Sequence, residues 1–504
     1  MKKKITFHKK FSSLGVFLIS LFLSIIFTQD WFFNLSSLKE LELKLIDKRF
    51  TYRGQKNISD NSSVTICTID QQSYDQLPIE LRKYPLNRRI FSKAVENLNK
   101  LGAKAIGIDV LMPTYDQFSE QNDIEFIETI RKFGNVVLSG KIDEQLESNI
   151  YYSFNDSKIK YNFGNVYYDA DSSIGIVRVV PDIDNIYRRY LPSIKISSIN
   201  KNIPSFGFAV LNKFYSLPKN ELPQKENEFF IYYNKKIPKY DEYTFLINIY
   251  GANYTFPQIK LIDVIDDETF STQDELDYKT EINNYEILKN DSSLVKKIKD
   301  KIILIGSTMP EDRDLLATAF SLNNIQGSNV IYGVEFHANA IQNVIDNDFI
   351  IKQNKFVAIT ILILIATLSF WITYLNRKIK VKFNSLIEII NILFLGVLVW
   401  GIYYLGFLIF VKQNILIEII PLIFTVIINY FGSTTYYVLK ERKQSQYIKS
   451  VFSQYVNKQV VNELISNAEK IKLGGEKKNL TVMFSDMVGF TTFAENKDPE
   501  VLVN

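Results

Sequence analysis

The sequence predicts a multi-domain membrane protein whose largest part is an α/β domain outside the cytoplasm. Four apolar stretches are long enough to cross a bilayer, and basic segments flank several of them. Between the first and second stretch, short apolar runs alternate with helical segments, which is the pattern of parallel strands joined by crossovers. With 46% hydrophobic residues and one cysteine, the chain holds packed domains without an intramolecular disulfide.

The N-terminus begins with a basic cytoplasmic segment at 1–10, MKKKITFHKK, and continues into a predicted first transmembrane helix at 11–33. The apolar part of this helix, FSSLGVFLISLFLSIIFT, has about the ~20 residues that a bilayer core requires. No Ala-x-Ala-like cleavage site precedes Leu35, so an uncleaved anchor is favoured over a signal peptide.

Three further transmembrane helices are predicted at 355–376, 388–411 and 415–438. The connector NRKIKVK and the segment KERK after the last helix are basic, whereas the connector KQN is not. The positive-inside rule therefore predicts a multi-pass protein of a bacterial cell membrane, with both termini in the cytoplasm and a domain at 34–354 in the periplasm or outside the cell. The alternative is that these stretches are buried helices of one globule.

The external domain is predicted to be α/β, with VTICTI, AKAIGID and KIILIGS as parallel strands. Ligands of open parallel sheets bind at the carboxyl ends of the strands. Two alternatives account for the polar residues at these strand ends. They line a ligand crevice, or they cap the helices that follow. The candidate crevice residues are Asp70, Asp109, Ser307 and Asp314. His337, on an apparently amphipathic helix, is interpreted as a packing residue, with a ligand or proton-sensor role as the alternative.

Four segments of this domain resemble the second family of CHASE sensor domains, which are extracellular modules of bacterial signalling enzymes. They are TIDQQSYDQL with AKAIGIDVLMP, FGNVYYDADSSIGIVRVVP, INIYGANYTFP, and IILIGSTMPEDRDLLATAFS with YGVEFHANAIQNVI. The resemblance covers most of residues 40–350, and such domains are followed by three spans, as predicted here. It implies a sensor of an extracytoplasmic ligand or stimulus and leaves its identity unknown.

The cytoplasmic part comprises a helical linker at 439–475 and a final segment at 476–504. In that segment, LTVMFSD is predicted to be a buried strand that ends in Asp486, followed by a turn through Gly489 and a helix from about Thr492. A carboxylate at a strand end can hold a divalent cation, and free amides at a helix start favour phosphate. A nucleotide triphosphate would bind both the cation and the free amides. An aspartate that only stabilises a turn has the same local sequence pattern.

FSQYVNKQVVNELI and KLGGEKKNLTVMFSDMVGFTTFAE resemble the opening of the class III adenylate and guanylate cyclase catalytic domain. The resemblance implies an α+β, ferredoxin-like domain and a lyase that converts ATP or GTP to cAMP or cGMP plus pyrophosphate with two Mg²⁺ or Mn²⁺ ions. It makes Asp486 the first of two metal-binding aspartates and gives Met487 a metal-binding backbone carbonyl. The implied phosphate-binding residues are Val488, Gly489, Phe490 and Thr491.

Segment 476–504 would hold only the beginning of such a domain, without the second metal aspartate, the base-selecting positions or the Asn/Arg pair. The chain alone is therefore expected to be inactive. It is either the N-terminal portion of a receptor cyclase or a non-catalytic truncated sensor that dimerises with or modulates a full-length cyclase. A histidine kinase is disfavoured because no histidine follows the last span. Both remaining alternatives predict a homodimer, and a net charge of +4 indicates no nucleic-acid partner.

Overall fold

The computed structural model describes residues 12–29, 35–58, 61–142, 164–167, 173–196, 201–320, 330–379, 384–455, 479, 481–495, 497–498 and 501–502. The chain divides into two compact units. The α/β unit comprises Asn34–Ile361 and Leu398–Ile423, and the helical unit comprises Met1–Phe33, Leu362–Val397 and Phe424–Asn504.

The described helices are α1 (Ser13–Thr28), α2 (Ser36–Arg53), α3 (Gln71–Gln76), α4 (Arg88–Lys100), α5 (Glu120–Phe133), α6 (Phe206–Phe214), α7 (Leu261–Ile265), α8 (Gln273–Tyr278), α9 (Asn284–Asn290), α10 (Ser292–Lys296), α11 (Gly333–Asp346), α12 (Lys355–Asn376), α13 (Asn384–Gln413), α14 (Ile419–Tyr455) and α15 (Phe490–Ala494). The described strands are β1 (Val64–Ile69), β2 (Ala105–Asp109), β3 (Val136–Gly140), β4 (Ser173–Ile176), β5 (Arg189–Tyr190), β6 (Ser193–Ile196), β7 (Lys201–Pro204), β8 (Gln224–Lys225), β9 (Phe229–Tyr232), β10 (Lys235–Pro238), β11 (Phe245–Leu246), β12 (Gln258–Lys260), β13 (Ile302–Ser307), β14 (Leu315–Leu316), β15 (Ile331–Tyr332), β16 (Ile351–Lys352) and β17 (Ile415–Leu416).

A six-stranded sheet in the order β12-β1-β13-β2-β3-β4 forms the centre of the α/β unit, and all its pairings are parallel. The strands are short and apolar because both faces of the sheet are covered by helices. Helices α6 and α11 pack on one face, and α4, α5 and α7 contribute the core on the other. The predicted α/β architecture and its parallel strands are confirmed.

Helix α11 differs from the amphipathic helix predicted at this position, because every residue from Gly333 to Val344 is buried. Polar side chains of α11 form hydrogen bonds with backbone groups of a neighbouring loop, which does not pair with a strand. The side-chain oxygens of Asn343 and Asn339 accept hydrogen bonds from the backbone N–H groups of Asn248 and Tyr250 at 2.7 and 2.9 Å. The polar residues that suggested a solvent face are therefore interior hydrogen-bond partners.

Helices α12, α13 and α14 are long and apolar enough to cross a membrane. In the most apolar stretch of each helix only 28%, 17% and 33% of the residues are buried. Most of this apolar surface therefore faces outward, as expected of helices that contact lipid and unlike helices of a globular core. The last span begins at Ile419 rather than at 415, because Ile415 and Leu416 form β17 and pair with β16. Helix α14 continues to Tyr455, so the first part of the predicted linker belongs to the same helix, and 456–478 lie outside the described residues.

The predicted first transmembrane helix is shorter in the structure than at 11–33. Helix α1 has 16 residues, about 24 Å at 1.5 Å per residue, whereas a bilayer core is ~30 Å thick. Within the helical unit it packs closely on other helices. Phe17 contacts Phe370 with ring centres 5.4 Å apart, and Ser20 lies so near Gly432 that a Cβ there would be 1.9 Å from the serine oxygen. The described residues therefore give three helices of spanning length.

A buried arginine connects three helical segments of the helical unit. The Nε and Nη2 of Arg377 donate to the two carboxylate oxygens of Glu388 at 2.7 and 2.9 Å. The guanidinium also donates to the hydroxyls of Ser433 and Thr434, each at 2.9 Å. A charge among apolar helices is stabilised only by such pairing, and this network accordingly connects α13, α14 and the residue that follows α12.

The strand predicted at 480–486 is absent from the described residues 481–487, which have no regular secondary structure. Met483 and Phe484 are 85% and 94% exposed, because no other strand is present in the described part of this segment to pair with it. The turn at Gly489 has φ +76°, the left-handed conformation that glycine favours. Helix α15 then begins at Phe490, two residues before the predicted start.

Candidate functional site

The carboxyl ends of three neighbouring strands meet at one edge of the central sheet. Ile69 of β1 is in register with Ser307 of β13, and Gly306 is in register with Asp109 of β2. Asp70 follows β1 directly. The predicted candidates Asp70, Ser307 and Asp109 therefore share this edge, as strand ends in a parallel sheet must.

Two of these residues make local capping contacts. Asp70 accepts a hydrogen bond from the backbone N–H of Ser73 at 2.7 Å and is the N-cap of α3. The hydroxyl of Ser307 accepts one from the backbone N–H of Met309 at 3.1 Å. Both side chains stabilise the turns that leave the sheet, which is the capping alternative of the sequence prediction.

Asp109 faces a buried histidine. Its carboxyl Oδ2 lies 3.9 Å from Nε2 of His337, whose Nδ1 is 2.7 Å from the hydroxyl of Tyr190. The Tyr190 oxygen also accepts a hydrogen bond from the N–H of Gly207 at 2.9 Å. Burial lowers the pKa of His337 to about 3, and burial with the Asp314 charge raises the pKa of Asp109 well above its usual range. His337 is therefore uncharged near pH 7, burial favours the protonated form of Asp109, and His337 is a packing residue as predicted.

Asp314 lies close enough to Asp109 for its charge to affect the pKa of that carboxyl. The residue as a whole is exposed, but its carboxylate turns towards the Cα of Gly333, where a Cβ would be 2.3 Å from Oδ2. A larger residue at position 333 would require the Asp314 carboxylate to move. Burial of the carboxylate and the neighbouring charge of Asp312 raise the pKa of Asp314. The structure thus brings Asp109 and Asp314 close enough to interact, as the crevice prediction requires.

Glu335, in the first turn of α11, is a buried carboxyl that the sequence analysis did not identify. Its Oε1 accepts hydrogen bonds from the backbone N–H of Tyr254 at 2.7 Å and from Nε2 of Gln258 at 3.4 Å. Burial raises the pKa of Glu335 to about 7 despite these hydrogen bonds. The residue is 1% exposed, so the fold shields it from water and favours its protonated form.

We expect Glu335→Gln to reduce the pH dependence of folding stability. Because the pKa rises from 4.5 to about 7 on folding, the stabilising proton is fully bound below pH 4.5 and its contribution is lost as pH rises through 7. The loss is at most about 3 kcal/mol, at 1.36 kcal/mol per pKa unit. Melting temperatures at pH 5 and pH 8 test this, with exposed Glu311→Gln as the control. If the wild type and Glu335→Gln lose equal stability between these pH values, the shifted pKa is wrong.

Helix α2 is bound to the body of the α/β unit through a buried ionic cluster. Nε and Nη2 of Arg188 donate to both carboxylate oxygens of Asp47 at 2.6 Å, and the same guanidinium contacts Asp182 at 2.9 Å and Asp184 at 2.7 Å. Burial alone would lower the pKa of Arg188, but hydrogen bonds and charges of the three aspartates outweigh burial and raise it. This cluster fixes α2 at Asp47.

Helix α2 also binds the start of α14, through Glu42. Oε2 of Glu42 accepts hydrogen bonds from the backbone N–H groups of Ile419 and Ile420 at 2.9 and 2.8 Å. Its Oε1 accepts from Nη2 of Arg49 at 2.8 Å, and the same nitrogen donates to the carbonyl of Ile417 at 2.9 Å. Glu42 thus acts as a distant N-cap of α14. We call Glu42, Arg49 and residues 417–420 the junction.

The turn at Asp486 supplies one carboxylate for the predicted metal site. Its Oδ1 accepts the N–H of Met487 at 2.9 Å, and the segment is exposed. Among the residues that the structure describes, no group of three or more His, Cys, Asp or Glu side chains could hold a metal ion. One aspartate does not fit a two-ion centre, so the roles predicted for Asp486, Met487, Val488, Gly489, Phe490 and Thr491 remain predictions.

Comparison with known proteins identifies the larger part of the chain. The sequence profile of the CHASE2 domain matches residues 18–374. No curated protein and no solved structure matches the chain.

Proposed function

The chain belongs to the CHASE2 domain family, and on this premise we propose that it is a bacterial membrane receptor coupling an extracytoplasmic signal to cyclic nucleotide synthesis. The observation that carries the proposal is the family match itself, since CHASE2 is an extracellular sensor domain often found in cyclase-containing signalling proteins. The three apolar helices support insertion of the chain in a membrane. The ligand or stimulus is recognised by the α/β unit, with the edge around Asp109 and Asp314 as our candidate site.

We propose that α1 adds a fourth membrane helix, which puts both termini in the cytoplasm. Its contacts within the helical unit support this: Phe17 packs on Phe370, and Ser24 accepts a hydrogen bond from Asn429 at 3.0 Å. Signals would leave the sensor at the junction and pass along α14, which continues as one helix to Tyr455. As a homodimer, two such helices would bring two effector domains together.

The effector we propose is a class III cyclase that uses ATP or GTP with Mg²⁺ or Mn²⁺, by the resemblance of residues 452–495. We expect Asp486→Asn in the native protein to lower cyclic nucleotide formation by about 100-fold, because loss of groups around a bound metal already costs up to that much. Cyclic AMP and cyclic GMP released by washed membranes with each nucleotide and Mn²⁺ are the measurement.

The matched control is Asp498→Asn, an exposed aspartate in the same segment. It should leave the rate unchanged. Equal activity of wild type and Asp486→Asn would remove the metal role of Asp486, and membranes that form neither nucleotide would remove the cyclase proposal.

A second candidate function is a non-catalytic sensor that pairs with and modulates a full-length cyclase. No group of three or more metal-ligating side chains lies together among the described residues of the final segment, which favours keeping this candidate. The intact mass of the native protein from its own membranes separates the two. A mass well above 58.5 kDa supports the receptor cyclase, whereas a mass of 58.5 kDa supports the modulator.

A further inference from the structure

A cavity of about 250 Å³ lies between α2 and the sensor-side end of α13, outside the sites described so far. Along α13, Tyr404, Leu408 and Lys412 form one i, i+4 row of its wall, and Tyr403 and Phe407 lie on the adjacent row. Tyr403 and Phe407 stack with ring centres 4.3 Å apart. The wall is therefore aromatic and apolar along its length, with a cation at one end.

The dimensions of this cavity match one leaflet of a bilayer. From Tyr403 to Lys412 the helix rises nine residues, about 13 Å at 1.5 Å per residue, which is nearly half of a ~30 Å hydrocarbon core. Gln413 ends the helix, so Lys412 lies at the level of the headgroups and Tyr403 towards the membrane centre. Tyr52 of α2 also lines the cavity and contacts Phe407 with ring centres 5.7 Å apart.

The charge at the headgroup end is positive and incompletely paired. Lys412 is exposed, and no ion-pair partner for it occurs in the described part of the chain. The guanidinium carbon of Arg49 lies 5.8 Å from the ring centre of Phe407, and within the described residues Nε and Nη1 of this fully buried side chain have no hydrogen-bond partner. An anion near this end would stabilise Lys412, whereas Arg49 is already paired with Glu42.

We propose that this cavity binds a phospholipid with an anionic headgroup from the surrounding membrane. One acyl chain lies along Leu408, Phe407 and Tyr403, and the phosphate pairs with Lys412. Because Arg49 contacts both Phe407 and the carbonyl of Ile417, the bound lipid lies directly beside the junction. The site thus makes the start of α14 sensitive to the lipid composition of the membrane.

Native mass spectrometry of the full chain tests this site, with phosphatidylglycerol added to nanodiscs of phosphatidylcholine. We expect the wild type to bind phosphatidylglycerol about fivefold more tightly than Lys412→Gln, the effect of one basic residue near a headgroup. Leu408→Trp fills the cavity and should abolish retention of the lipid. The matched control is Lys355→Gln, because Lys355 begins α12 and lies outside the cavity.

The proposal is overturned if Lys412→Gln retains the wild-type preference, or if Lys355→Gln weakens binding equally, since general surface charge then explains it. Retention by Leu408→Trp would remove the cavity from the site. Cys67 is buried, so its failure to react with a thiol reagent verifies that each variant is folded. None of these measurements depends on cyclase activity, so they stand apart from the proposed function.

Discussion

Replacing Arg188 with methionine is expected to destabilise the α/β unit by about 3–5 kcal/mol, which is the usual cost of removing one partner of a buried ion pair. The guanidinium is 1% exposed and contacts three aspartates whose side chains are 2%, 6% and 14% exposed. Without it, carboxylates remain in the interior with Arg189 as their remaining described cation. Opening of the sheet is measured by the rate at which Cys67 reacts with a thiol reagent in membranes.

The pH dependence of the Arg188→Met variant provides a second readout. Loss of the guanidinium is expected to raise the pKa of the buried carboxylates, so they take up protons as pH falls and the stability difference from the wild type becomes smaller in acid. The control is Arg89→Met, at an exposed position. In this variant Cys67 should react with the thiol reagent at the wild-type rate. A Cys67 rate that is the same in wild type and Arg188→Met would show that the cluster contributes little to folding.

Replacing Glu42 with alanine is expected to open the first turn of α14, with a cost of about 3 kcal/mol. The change leaves Arg49 buried without its carboxylate and removes the acceptor of two helix N–H groups. Hydrogen exchange of the Ile419 and Ile420 amides should therefore accelerate by about 100-fold, since 1.4 kcal/mol is a factor of ten.

Two further variants distinguish the junction from a general effect on α2. Glu42→Gln keeps an acceptor for the helix amides but loses the charge, so intermediate exchange is expected. Exposed Glu40→Ala should leave exchange unchanged. If Ile419 and Ile420 exchange equally fast in wild type and Glu42→Ala, then Glu42 does not hold the start of α14.

Features set by local patterns were predictable from the sequence. The buried strands β1, β2 and β13 are short apolar runs, and α12 to α14 are long apolar stretches, so composition and length were sufficient. Asp70, Asp109 and Ser307 share a sheet edge because parallel strands place their carboxyl ends together. The capping contacts of Asp70 and Ser307 are local and followed from the sequence pattern, whereas the raised pKa of Asp109 depends on burial and on Asp314, which is distant in sequence.

Contacts between distant segments explain what the sequence did not reveal. Glu42 and Ile419 are 377 positions apart, so nothing in either segment indicates that they meet. The start of α14 at Ile419 is likewise set by the pairing of β16 with β17, whose residues are distant in sequence. The strand predicted at 480–486 had the correct apolar pattern, but a strand forms only where other strands pair with it.

Labelling of single added cysteines in whole cells tests most directly whether the sensor and the tail of α14 lie on opposite sides of the membrane. Gln121 of α5 and Ser445 of α14 are exposed, and buried Cys67 gives no background. A membrane-impermeant maleimide is predicted to label Gln121→Cys in intact cells and Ser445→Cys only after permeabilisation. Labelling of both positions in intact cells, or of neither, would contradict a receptor that carries an external signal across the membrane.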